Sequence, residues 1–411
     1  MSHPRSRKDT IQNLLIVLLS LSALLLLIQT GRLFSDGSDR RDTPVSAQTE
    51  TALTDLSTPL AFAVSSGYGR YGEMDLAASS EAFAVPGQML REALGSAGAL
   101  TACPEAEFRQ ALDSSCAYYD FGITAPLSVL AGLVGAEVPP ALEDVSLRWA
   151  VLSAEESGVA LYLTNGADFR RCSTQVAAGD LSDMIGGYPL GNALFACELE
   201  DSGLAPYTLL LTEQHAYPPL TAENPLTDQD QLLSRLGFNP RTNFRYTESN
   251  GTLVVQDGDR ALRIHSDGSL SYESGGSDDL SIAAASGSPG PREAVLGAFR
   301  LLDQLFPDGS GLCLEELRQE DGGWVISFGY QFEGVRVRRA SGRSAAQVTL
   351  EGTEVTSFTL WPRQYTADDG ESLLLPLTQA LAIARSLGGR ELSVRYTDSG
   401  GDTLSAQWLA E

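Results

Sequence analysis

Histidine is scarce in this chain, and its copies stand far apart. There are three histidines, His3, His215 and His265. Imidazole is the side chain best matched to proton transfer near neutral pH and the commonest metal ligand. No HExxH spacing links them, and two separated histidines make a zinc site only with carboxylates from elsewhere. Lys8 is the sole lysine, so no lysine nucleophile is available further along the chain. Neither GxSxG nor SxxK occurs. The 53 Asp and Glu residues ensure that some pair falls at the separation a glycosidase uses. Asp278-Asp279 and Asp368-Asp369 are the obvious pairs, and their Gly/Ser-rich or turn-like settings read as solvated chain. Asp257-Gly258-Asp259 lacks the spacing of an EF-hand loop. Gly67 to Gly72 lacks the Lys-Ser/Thr of a phosphate-binding loop. No catalytic, cofactor-binding or metal-binding residue is therefore expected, and no cofactor.

Residues suited to binding are easier to find. Tyr68, Arg70 and Tyr71 crowd a Gly-rich turn, and Trp361, Arg363 and Tyr365 leave a predicted strand. Aromatic and Arg side chains are enriched at interface hot spots, although such residues also plug the ends of sheets. Ser20, Ser22 and Ala23 sit in an apolar run where small residues allow close helix–helix contact. These nine residues are the candidate partner contacts.

The apolar run is the strongest feature of the chain. From Leu14 to Ile28 only Ser20 and Ser22 are polar, and Ile11–Phe34 is long enough to cross a bilayer. Arg5, Arg7 and Lys8 precede it, which places the N-terminus in the cytoplasm. Val45-Ser46-Ala47 also reads as a cleavage site, but it lies well beyond the apolar run. The expected order is a tail (1–10), a transmembrane anchor (11–34) and a flexible stalk (35–57). The remaining chain is then extracytoplasmic, held at the cell membrane.

A formal net charge of −25 over 411 residues repels nucleic acid and anionic headgroups. Nucleic acid is therefore excluded as a partner. Five cysteines, Cys103, Cys116, Cys172, Cys197 and Cys313, match no zinc spacing. They leave open both the pairs Cys103–Cys116 and Cys172–Cys197 and buried free thiols.

Periodicity beyond the stalk interleaves helices and strands. An N-terminal α/β region is expected at 58–212, and a helix with a β-meander at 213–274. Pro218, Pro219 and Pro225 mark a loop there, and Asp257-Gly258 and Asp267-Gly268 signal hairpins. A low-complexity linker at 275–290 then leads to a C-terminal region at 291–411. That region reads as helix Pro291–Phe306, a meander, helix Leu377–Leu387 and a closing hairpin. The fold class is α+β, an N-terminal transmembrane helix followed by mixed domains with antiparallel sheets.

The anchor, the segment YTESNGTLVVQDGDRALRIHSDGSLSY (Tyr246 to Tyr272), and FGYQFEGVRV and VTSFTLWPRQY within Trp324 to Tyr365 resemble the YycH and YycI proteins of Gram-positive bacteria. The resemblance covers the anchor and roughly the last 180 residues. It implies a non-enzymatic accessory regulator of a two-component system. Such a protein would contact a membrane sensor histidine kinase, and a paralogous single-pass regulator, through its anchor and outer domains. The alternatives are a wall hydrolase working through paired carboxylates and a structural envelope adaptor.

Overall fold

The computed structural model describes residues 53–411, apart from 55, 57–58, 79, 213–215, 227, 240–242, 277–279 and 307–310. The expected anchor, the stalk to residue 52, Ser20, Ser22, Ala23, His215 and Asp278-Asp279 lie outside the described residues. No helix among the described residues is long and apolar enough to cross a membrane. The described residues form one compact unit of α+β architecture.

The first part builds a nine-stranded sheet. Along the chain come β1 (Pro59–Ser66), β2 (Tyr71–Ala77), α1 (Ala84–Gly95), β3 (Thr101–Ala102), α2 (Glu105–Leu112) and β4 (Ser115–Pro126). Then follow α3 (Leu127–Leu133), β5 (Ser146–Glu155), β6 (Gly158–Thr164), β7 (Phe169–Ser173), α4 (Ala178–Gly186), β8 (Ala193–Phe195) and β9 (Leu209–Leu211). The spatial order is β3-β7-β6-β5-β4-β1-β2-β8-β9, and every pairing is antiparallel. Both faces of this sheet are covered. In β6, Val159, Leu161 and Leu163 join the core under α1, α3 and α4. Ala160 and Tyr162 face Phe108 and Leu112 of α2 on the other side. Alternate side chains leave opposite faces of a strand, so a strand covered twice reads as an unbroken apolar run.

The second part continues with β10 (Leu220–Glu223), α5 (Gln229–Arg235), β11 (Phe244–Thr247), β12 (Leu253–Asp257), β13 (Arg260–Ile264), β14 (Leu270–Glu273) and α6 (Pro291–Leu305). β15 (Leu312–Glu320), β16 (Gly323–Phe332), β17 (Val335–Arg339), β18 (Ala346–Glu351), β19 (Glu354–Leu360) and β20 (Gln364–Ala367) come next. The chain closes with α7 (Leu377–Leu387), β21 (Leu392–Asp398), β22 (Thr403–Leu404) and β23 (Ala406–Ala410). Eleven of these strands form a second sheet, ordered β11-β12-β13-β14-β19-β18-β16-β17-β21-β23, with β15 also paired to β16. One pairing in it, β17 with β21, is parallel. α6 starts cleanly because Pro291 needs no N–H partner at its first turn and Glu293 accepts from the Gly290 N–H at 3.0 Å.

Two features differ from the sequence reading. β14 pairs with β19, so the second sheet runs across the low-complexity segment 275–290. The Pro-rich stretch expected as a loop contains β10, which pairs with β20 and β22 in a separate three-stranded sheet. Its partners lie far along the chain, where local patterning does not reach. At the junction of the two large sheets Arg148 holds Asp120 (2.8 Å) and also Glu391, just before β21. All five cysteines are free, and Cys116, Cys172 and Cys313 are buried.

Candidate functional site

Over β13, β14, β19 and β18 the second sheet keeps one face dry and the other accessible, and strict register separates the two. Leu262, Tyr272, Phe358, Val348 and Ile326 lie side by side across β13, β14, β19, β18 and β16. All five belong to the core, with the Tyr272 and Phe358 rings stacked at 5.1 Å. One position along each strand lies a second row, Arg263, Ser271, Thr359, Gln347 and Ser327, ending at Glu316 of β15. A shift of one residue reverses the face, so this row points away from the core.

From Ser271 to Glu316 the polar row floors a cleft of about 500 Å³. One wall is the β13–β14 hairpin. Its tip is Asp267-Gly268, and Gly268 takes φ +79°, a left-handed conformation natural to glycine. The Asp267 carboxylate accepts from the Ser269 N–H (2.9 Å) and hydroxyl (2.6 Å). Burial would raise its pKa, but those bonds and the charges of His265 and Arg339 hold it below the usual carboxylate value. His265 Nε2 shares a hydrogen with Ser271 Oγ at 3.0 Å.

The opposite wall is the end of β17 and the loop to β18. Arg339 lies over the Trp361 ring, 4.0 Å from its centroid, and donates to the Ser344 carbonyl at 3.3 Å. Arg343 is exposed on the same loop. Among the described residues no carboxylate stands within ion-pair distance of either guanidinium. Burial and the neighbouring Arg343 push the Arg339 pKa down, while Asp267 and Asp398 act the other way.

Behind this wall lie three of the expected partner contacts. Trp361, Arg363 and Tyr365 are buried, a correction to their reading as an exposed surface. Asp398 is the reason. Its carboxylate accepts from Arg363 Nε (2.9 Å) and Nη2 (3.2 Å), from the Tyr365 hydroxyl (3.0 Å) and from the Gly400 N–H (2.7 Å). Arg363 also stacks on Trp361 at 5.0 Å. Both guanidiniums thus pack on the one indole, which ties Arg339 at the cleft to the buried network.

The other expected contacts divide. Tyr68 and Arg70 are exposed at the β1–β2 turn, Tyr68 with φ +63°. Tyr71 turns inward, packed edge-on against Phe195 at 4.8 Å and donating to Asp113 at 3.1 Å. Asp113 and Glu198 thus share one tyrosine, and burial raises the Glu198 carboxyl. Both residues are exposed. Asp368-Asp369 is likewise exposed. Asp257 pairs with Arg260 at 2.9 Å. Among the described residues no group of three His, Cys, Asp or Glu side chains could hold a metal ion.

A second surface was missed in the sequence. α7 buries Ala380, Leu381 and Ala384 and turns Ile383 (46 % exposed) and Leu387 (72 %) outward. These two lie one turn apart on a single helix face. Leu373 (98 %) and Leu375 (44 %) are exposed on the approach to the helix. The apolar excess of the segment LLLPLTQALAIARSL, beyond what one buried stripe needs, was the available signal.

No protein-family model and no curated protein matches the chain. A solved structure of an uncharacterized protein from Eubacterium rectale aligns with 47 % of this chain and 75 % of its own, at 12 % identity and a TM-score of 0.27. So loose a superposition carries no argument about fold or function.

Proposed function

We propose that this chain is a non-enzymatic accessory protein, anchored in the cell membrane by Ile11–Phe34, that acts by associating with a membrane sensor histidine kinase. Its outer region would dock on the extracytoplasmic part of the kinase. A shared anchor layer confines both proteins and raises their effective concentration. The observation that carries this reading is the outward apolar stripe of Ile383 and Leu387, approached by Leu373 and Leu375. In so acidic a chain, adjacent exposed aliphatic side chains mark an interaction surface. Burying one such side chain contributes about 1.5–3 kcal/mol, and each 1.4 kcal/mol is tenfold in affinity.

The test is crosslinking in native membranes, with the captured partner identified by mass spectrometry. A histidine kinase is expected. Ile383→Glu with Leu387→Glu should cut its recovery by tenfold or more, and replacing Leu14–Ile28 by an unrelated apolar span should cut it less. Both positions are exposed, so unchanged thermal unfolding is expected and separates lost docking from lost fold. Undiminished recovery by the double variant would remove α7 as the docking surface. Consistent capture of a protein of another class would overturn the kinase assignment.

A further inference from the structure

The cleft on the wet face of the second sheet is unused by docking through α7, and its chemistry is specific. Two guanidiniums, Arg339 and Arg343, meet there without a carboxylate partner among the described residues. The two carboxylates that line the cleft have partners of their own: Asp267 binds Ser269, and Glu316 pairs with Arg318 at 3.0 Å. In a chain of net charge −25, which repels anions at long range, two neighbouring guanidiniums with no salt bridge among the described residues, and Asp267 as the opposing charge in the cleft, are a local exception. Arg339 cannot swing away to water freely, since Trp361 and the Ser344 carbonyl hold it.

Two guanidiniums that repel each other are relieved more by a dianion than by a single carboxylate, and their planar forks match phosphate oxygens. Beside them the floor offers hydroxyl and amide groups. Ser271 and Thr359 each bring a donor and acceptors. The Gln347 amide nitrogen is held by Ser327 Oγ at 3.3 Å, leaving its carbonyl oxygen as an acceptor. A volume of about 500 Å³ falls within the range of small-molecule sites.

We propose that this cleft binds a polyol phosphate, with Arg339 and Arg343 taking the phosphate and Ser271, Thr359 and Gln347 taking the hydroxyl groups. The ester could be free in solution or repeat along an envelope polymer, and one experiment covers both. Isothermal titration of the full chain would use sn-glycerol 3-phosphate, a glycerol phosphate oligomer, inorganic phosphate and glycerol. Glycerol 3-phosphate should bind, inorganic phosphate more weakly, and glycerol undetectably. Arg343→Ala, at an exposed loop position, should weaken both anions at least tenfold without changing thermal unfolding. Gln347→Ala should weaken the ester and leave inorganic phosphate unchanged. Tighter binding of the oligomer per unit assigns the polymer as the source, and equal binding per unit assigns the free ester. Absence of ester binding at millimolar concentration, or undiminished binding by Arg343→Ala, would overturn the site. Equal affinity for the ester and inorganic phosphate would overturn the polyol assignment. None of these outcomes bears on docking through α7, so the two proposals stand or fall separately.

Discussion

The nine-stranded and eleven-stranded sheets are both largely antiparallel, yet they use their faces in opposite ways. In the first, neighbouring residues of β6 enter different cores, one beneath α1, α3 and α4 and the other beneath α2. In the second, Phe358 is core and Thr359 is exposed. Coverage by helices, rather than strand type, decides whether a sheet can present chemistry. A strand whose neighbouring residues enter two different cores, as in the middle of β6, presents no side chain to a ligand there. A sheet covered on one side can carry a row of polar side chains whose spacing its hydrogen-bond register fixes.

The network behind the cleft gives the largest expected effect. Asp398→Ala strips a buried guanidinium of its counterion (side-chain exposures 8 % for Arg363 and 1 % for Asp398). Removing one partner of such a pair costs about 3–5 kcal/mol, measurable by urea denaturation. A loss below about 1 kcal/mol would mean that Arg363 finds water, and that Trp361 is less enclosed than described.

Substitution at neighbouring positions tests the contrast between the sheets directly. Leu161→Ala should cost about 2–5 kcal/mol and Phe358→Ala about 3–5 kcal/mol, since both are core. On the other face of the first sheet, Val151→Ala should cost more than about 1 kcal/mol, at roughly 0.8 kcal/mol per methylene-sized group. Thr359→Ala, on the wet face of the second sheet, should stay within about 0.5 kcal/mol. A comparable cost for Thr359→Ala would erase the distinction.

The smallest effect is electrostatic. The pKa of Asp267 is lower in the folded chain than its ordinary value. The carboxylate therefore contributes stability that is present above about pH 3.9 and lost as pH falls through the folded value. Asp267→Asn should be slightly less stable than wild type at pH 7, with the gap closing in acid. A gap that widens in acid would reverse the sign and remove Asp267 from the electrostatics of the cleft.

These contrasts also show what the amino-acid sequence made legible. Helix α7, the β12–β14 hairpins and the α6 start were readable because their signals are local: caps, Asp-Gly turns and apolar periodicity. β10, β20 and β22 were not, because a strand of two to four residues is specified by partners elsewhere. Trp361, Arg363 and Tyr365 looked like an interface until Asp398 entered as a counterion from β21, a pairing that no spacing rule encodes. The cleft left a faint trace in the alternation Ser271/Tyr272, Gln347/Val348 and Thr359/Phe358. Only register shows that these polar residues form one row, with Arg339 and Arg343 on the wall beside it.

The parallel pairing of β17 with β21 carries a consequence for biogenesis. All strands of the first sheet lie between Pro59 and Leu211, so it can close while the rest of the chain is still being made. β17 must wait until β18, β19, β20 and α7 have emerged before β21 can join it, and such distant pairing forms slowly. During that interval its outer edge presents free N–H and C=O groups, a template for any passing strand. The final hairpin of β21 and β23 is thus a seal against aggregation as well as the end of a sheet.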